Sequence, residues 1–323
     1  MAVREVDAGA REKGLKIESV TWNDLTWYDI EKPTERETEY LAQHFPFHPL
    51  DLDDCLSRIQ RPKIDEYRDY LFVVLHFPVY NKDTKATIPS QVSVFVGEDY
   101  LITLHKGELK PLVKLFRECQ LEEEAQQENF SQGSGYLLYR IVDRLIDYCF
   151  PILNRISENI EKTEDNIFAS KRIPRAIEDI SSLRRDVIAF RRIIWPMRAV
   201  IASLEPRIRR FTKMDLAVYF GDSVDHVDKM WDALDEYKEI IEGLNDTHDS
   251  LATNRTNEAM RVLTLMGTIM LPLLVVSGLW SMNIPLPFGA DPGGSHQFFG
   301  VMIGVLLVMV VGMLFYFRRK RWI

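Results

Sequence analysis

The residues best suited to chemistry in this sequence stand near its C-terminal end. Ser281, Met282 and Asn283 close an apolar run and precede a loop rich in Pro and Gly. Upstream, Asn257, Met260, Thr264, Gly267, Leu271, Leu274, Gly278 and Ser281 recur three and four apart, so one helix face leads to the asparagine. Two readings of Asn283 are open on residue type alone. It closes the helix as a C-cap, where Asn tolerates the left-handed conformation, or its neutral amide oxygen faces a hydrated cation. Mg²⁺ gives up its waters reluctantly, so a ring of uncharged acceptors suits the hydrated ion better than a carboxylate cage. Elsewhere the chain has no GxxxxGK phosphate loop, HExxH, GxSxG or paired-cysteine cluster. His44 and His48 straddle Pro46, which reads as a turn rather than a metal-binding helix face, and the acidic run Glu122 to Glu124 reads as a solvated face. The three cysteines, Cys55, Cys119 and Cys149, are scattered and odd in number, against a disulfide framework or structural zinc. No enzyme is expected.

The elements that would carry the stripe are two charge-free runs, Val262 to Trp280 and Phe298 to Phe317. Each is about long enough to cross a ~30 Å hydrocarbon core at ~1.5 Å per residue. Their connecting loop has no Lys or Arg, whereas Arg318, Arg319, Lys320 and Arg321 follow the second run. Positive charge favours the cytoplasmic side, so both termini are predicted to be cytoplasmic, in a multi-pass protein of the cell (inner) membrane contacting membrane lipid. The mean hydropathy of -0.14 averages over this uneven distribution. A composition of 46% hydrophobic and 27% charged residues excludes a disordered or fibrous chain, and a net charge of -8 argues against a nucleic-acid partner while leaving open an affinity for cations.

Before the membrane, Tyr70 to Tyr80, Gln91 to Gly97 and Tyr100 to His105 read as strands, and Pro33 to Arg58 as helical from a Pro-Thr-Glu start. Ile180, Leu183, Val187, Phe190, Ile194, Met197, Ile201 and Leu204 form a coiled-coil-like seam. Its expected partner is the stripe Ile141, Leu145, Tyr148, Ile152, Ile156, Ile160 and Ile167 on the preceding helix, across a break near Lys171 to Pro174. The arginines Arg184, Arg185, Arg191, Arg192 and Arg198 are expected to pair with Glu158, Glu161 and Glu164. After a loop around Pro206, a helix beginning near Asp222 is predicted to run without interruption into the first span. The fold class is therefore an α+β membrane protein: a cytoplasmic α/β domain (1–130), a helical domain and stalk (131–261), and a transmembrane hairpin with a basic tail (262–323).

The stretches His48 to Leu75, Tyr219 to His226 (YFGDSVDH) and Thr256 to Asn283, together with the loop, second span and basic tail, resemble the CorA family of divalent-cation channels over nearly the whole chain. That family ends its first span in Gly-Met-Asn; Ser281 stands at the glycine position here. The resemblance implies a homopentamer mediating Mg²⁺ influx, with Co²⁺ or Ni²⁺ as further cargo, and Mg²⁺ as both transported and regulatory ion. Ser281, Met282 and Asn283 would form the selectivity entrance and the stripe from Asn257 to Gly278 would line the pore. Asp222 would pair with an acid of the neighbouring subunit to hold a regulatory ion. Asp83 is the expected partner, near Asn81 at the family's acidic position. Helix N-capping by Asp222 is the competing role. A zinc transporter of the same superfamily and a non-transporting membrane-anchored sensor or scaffold are the rival functions.

Overall fold

The computed structural model describes residues 14–57, 60–84, 86–168, 173–281 and 296–320. They divide into two units, 1–245 and 246–323. In the first unit, strands β1 (Glu18–Trp22), β2 (Leu25–Glu31), β3 (Lys63–Glu66), β4 (Leu71–Asn81), β5 (Ala86–Val96) and β6 (Tyr100–His105) form one sheet in the order β1-β2-β6-β5-β4-β3. Only β2 and β6 run parallel. Alternate residues serve opposite faces. Tyr28, Ile30, Phe72, Val74, Phe95, Ile102 and Leu104 join one apolar core with Tyr40 and Leu41 of helix α1 (Glu35–His44), Leu52 of helix α2 (Pro49–Leu56) and Phe47 between the two. On the other face Trp27 meets Phe116 edge-on at 5.0 Å, from helix α3 (Lys110–Leu121). A sheet covered on both faces has strands that read as continuous apolar runs, as Leu71 to Val79 does.

The predicted strand at Gln91 begins five residues earlier, at Ala86. Pro89 and Ser90 hide that start. Pro89 faces Pro78 in register, and β6 reaches only Val92 to Val96 of β5, while β3 reaches only Leu71 to Val74 of β4. The outer end of the β4–β5 hairpin therefore projects beyond its neighbours, where a missing proline N–H breaks no ladder.

The predicted start at Thr34 is a capping box with Glu37, and His48 caps α2, its Nδ1 accepting from the Leu50 amide at 3.3 Å. His44 ends α1 with Nδ1 2.7 Å from the Tyr40 carbonyl oxygen. Asp51 is buried and accepts from the hydroxyls of Tyr67 (3.2 Å) and Tyr70 (2.9 Å). Glu122 to Glu124 are exposed, and all three cysteines are free and buried.

Beyond α4 (Glu123–Phe130), the first unit is helical: α5 (Ser134–Asp147), α6 (Cys149–Phe168), α7 (Ile173–Ile208), a 3-10 turn (Arg209–Phe211) and the start of α8 (Ala217–Trp280). Gly133 precedes α5 at φ +96, and a Cβ there would lie 2.7 Å from the Phe211 carbonyl oxygen. Every residue of the Ile180 to Leu204 seam is buried. The partner stripe is divided between α5 and α6 at Tyr148, which is half-buried, and Pro206 lies inside α7 rather than in a loop. The arginine pairing differs from expectation. Arg191 pairs with Asp235 and Arg198 with Asp228, both on α8, while Glu158 pairs with Lys162 on its own helix. The α7–α8 contact brings those aspartates alongside, with the Trp195 and Trp231 rings 4.5 Å apart between the two ion pairs.

In the second unit, α8 is, among the described residues, the one helix long and apolar enough to cross a membrane. It includes Pro272 without ending there. The second apolar run forms helix α9 (His296–Arg319).

Candidate functional site

The stripe on α8 is exposed at every described position: Asn257, Met260, Thr264, Gly267, Leu271, Leu274, Gly278 and Ser281. At about 100° per residue these fall on one side of the helix. Leu265, Ile269, Pro272, Leu273 and Val276 are half-buried and fall on the opposite side. The stripe carries no charge. At Gly267 and Gly278 an added Cβ would meet nothing within 4 Å, so contact with the described atoms of the chain itself does not demand glycine there.

Ser281 ends the described part of this face. Its amide donates to the carbonyl oxygens of Ser277 (3.1 Å) and Gly278 (3.2 Å), and its hydroxyl donates to the Gly278 carbonyl oxygen at 2.8 Å. The hydroxyl thus adds a second donor to a carbonyl in the last turn of the helix. Met282 and Asn283 lie outside the described residues.

The regulatory candidates sit in the first unit. The helix that carries Asp222 starts earlier than the sequence suggests: the Ala217 amide donates to Asp215 Oδ1 at 2.9 Å and the Phe220 amide to the Leu216 carbonyl oxygen. Asp222 is one turn inside and does not cap. Its side chain is 63% exposed, with His226 Nε2 3.7 Å away on the next turn. Asp143 of α5, which the apolar patterning did not single out, belongs to the same neighbourhood. Burial pushes its carboxyl above the ordinary carboxylate range, the charges of Asp147 and Asp222 add to that, and Arg140 and His226 oppose it. The i,i+4 pair inside YFGDSVDH was the available signal for His226; nothing in sequence spacing announces Asp143. Among the described residues no group of three or more His, Cys, Asp or Glu side chains is arranged to hold a metal within one chain.

Asp83 lies exposed on the turn between β4 and β5. The Asn81 side chain shapes that turn, Oδ1 accepting from the amides of Asp83 (2.8 Å) and Thr84 (3.1 Å). Asn81 is thus committed to the backbone, whereas the Asp83 carboxylate stands at the tip.

A raised carboxyl pKa has a stability consequence. Asp143 favours the folded state below its unfolded pKa, and that contribution is lost as pH rises through the folded value. Asp143→Asn is therefore expected to raise the melting temperature at neutral pH, with a gain that fades as pH falls below about 4, where the wild-type carboxyl becomes protonated in both states. Melting curves across that range check it. A gain that does not vary with pH contradicts it.

Residues 22–319 match the family model described as "CorA-like Mg2+ transporter protein". The chain is 31% identical over 312 residues to YfjQ of Bacillus subtilis, covering 96% of this chain and 94% of that one. It is 28% identical over 312 residues to the cobalt/magnesium transport protein CorA of Thermotoga maritima, covering 94% and 83%. The solved structure of the CorA magnesium transporter from Methanocaldococcus jannaschii superposes with a TM-score of 0.80 at 22% identity, over 95% of this chain and 94% of that one. The chain accordingly belongs to the CorA-like Mg²⁺ transporter family, whose members move metal ions and are not enzymes.

Proposed function

We propose that the protein is a homopentameric channel of the cell (inner) membrane, carrying Mg²⁺ inward down the membrane potential, with Co²⁺ or Ni²⁺ as further cargo. The observation that carries this reading is the uncharged, exposed face of α8 from Asn257 to Ser281, opposite the half-covered face of the same helix. Two apolar helices, α8 and α9, enclose no pore alone; like faces of several copies around one axis do, and a contact between unlike patches closes a ring. Both termini lie on the cytoplasmic side, with 1–130 and 131–261 forming the cytoplasmic α/β and helical parts and 262–323 the membrane part. Met260, Gly267 and Leu271 narrow and dry the path. Ser281, Met282 and Asn283 form its entrance. A divalent ion moving inward gains roughly 4.6 kcal/mol per 100 mV, so no nucleotide is needed.

The same reading makes internal Mg²⁺ the regulator. Asp222 and an acid of the neighbouring subunit, Asp83, would hold it. Asp222 and Asp147 both add repulsion to the burial that raises the Asp143 carboxyl, and a divalent cation relieves such repulsion. Its loss lets subunits tilt, and α8 conveys the tilt to the pore face.

Flux into proteoliposomes, compared side by side for Mg²⁺, Co²⁺ and Zn²⁺, tests the proposal. Mg²⁺ uptake that follows the imposed potential without ATP is expected. Zinc uptake that Mg²⁺ does not compete with favours the zinc-transporting alternative, and absence of any flux favours a sensor or scaffold. Within this scheme Ser281→Gly is expected to keep or raise Mg²⁺ flux, because its hydroxyl is occupied by the Gly278 carbonyl and the position needs mainly a small side chain. Loss of transport in an assembled Ser281→Gly channel would give the hydroxyl a part in conduction.

A further inference from the structure

The projecting end of the β4–β5 hairpin carries Asp83, and it lies beyond the reach of β3 and β6. An isolated two-stranded ribbon is marginal in water, so something outside the sheet must hold its position. Two contacts do so. Asp186 of α7 is 9% exposed, and its Oδ1 accepts from the Thr87 amide at 2.9 Å, across 99 residues of sequence. Thr87 faces Tyr80 in register, and the guanidinium of Arg155 from α6 lies 3.0 Å above the Tyr80 ring. Arg155 also acts on Asp186: its charge draws the carboxyl down against the burial that pushes it up. One residue pair further out, Asn81 and Ala86 close the ladder, and Asn81 folds the turn that ends in Asp83.

We propose that Asp186 and Arg155 are positioning residues for regulation, clamping the end of the hairpin to α6 and α7 so that Asp83 is presented in a fixed place to the neighbouring subunit. The inference rests on the reading of Asp83 as a ligand of the regulatory ion. Asp186 acts here as a hydrogen-bond acceptor at an unpaired strand edge. Arg155 holds the adjacent ring and balances the buried carboxylate. With the clamp released the turn samples many positions, and each ion bound between subunits must first restrict them.

The test uses the full-length protein in proteoliposomes, with Mg²⁺ flux measured against internal Mg²⁺, alongside hydrogen exchange of the hairpin amides. Asp186→Ala is expected to move the inhibition midpoint to higher internal Mg²⁺ by about threefold to tenfold, the equivalent of one lost hydrogen bond, and to speed exchange at Thr87. Asp186→Asn keeps an acceptor oxygen and is expected to stay near wild type in both readouts. A merely structural role would lower stability in Asp186→Ala without moving the midpoint. Should Asp186→Ala fail to assemble, Arg155→Gln carries the test, with a smaller shift in the same direction. Asp83→Asn separates the two levels. If it moves the midpoint while Asp186→Ala and Arg155→Gln leave it in place, the clamp is overturned and the ligand reading stands. If Asp83→Asn leaves the midpoint unchanged, both fall, whatever the Asp186 variants do.

Discussion

Asn283→Ala is expected to abolish Mg²⁺ flux, by at least about a hundredfold, while leaving the proposed pentamer assembled. The proposed entrance holds a hydrated ion through uncharged oxygens, and the substitution removes one from every subunit at once. A hydrogen bond to a charged partner is worth about 1.5–3 kcal/mol, and a tenfold change in rate takes about 1.4 kcal/mol. Even partial loss over the five proposed subunits therefore exceeds what is needed. The competing role, a C-cap, makes a different demand. Glycine adopts the left-handed cap conformation at least as well as asparagine, so Asn283→Gly would conduct normally if capping were the whole contribution. Flux near wild type in either variant, with assembly confirmed by size-exclusion chromatography, removes the entrance ring.

Asp222→Asn is expected to shift inhibition by internal Mg²⁺ about tenfold upward, leaving maximal flux intact. Loss of one carboxylate from a cation site weakens it strongly, since hard divalent ions take their affinity largely from charged oxygens. The position of Asp222 sharpens this expectation. Because Ala217 and Phe220 already bond to Asp215 and Leu216, the substitution leaves the helix start untouched. A shifted curve cannot then be assigned to fraying at the N-terminus. A curve that overlays wild type would place the sensor elsewhere.

Most of the helical architecture was legible because it is local and periodic. The seam from Ile180 to Leu204 is buried throughout, and the absence of proline between Asp222 and Pro272 foretold one uninterrupted helix, observed as Ala217–Trp280. Strands β1, β2 and β3 were not legible, whereas Tyr100 to His105 was. In β3 every residue is partly exposed, so Lys63 to Glu66 shows no alternation, and β2 is buried on both faces while including Thr26 and Asp29. Long-range partners were equally hidden: Arg191 and Arg198 reach Asp235 and Asp228 through helix packing, and no spacing rule links positions so far apart. Asp222 was singled out through its motif, but its distance from the helix start depends on Asp215, whose bond to Ala217 is a feature of the turn rather than of any apolar pattern.

Pro272 sits within α8, between Gly267 and Gly278 of the uncharged face. Proline has no amide hydrogen to give to the carbonyl four residues back, which is that of Thr268, so one rung of the helical ladder is missing inside an otherwise apolar stretch. Bending at that rung breaks no bond that the straight helix possesses. The helix is therefore most compliant within its apolar stretch, and a torque applied at its N-terminal end would be absorbed there as a bend before it reached Ser281.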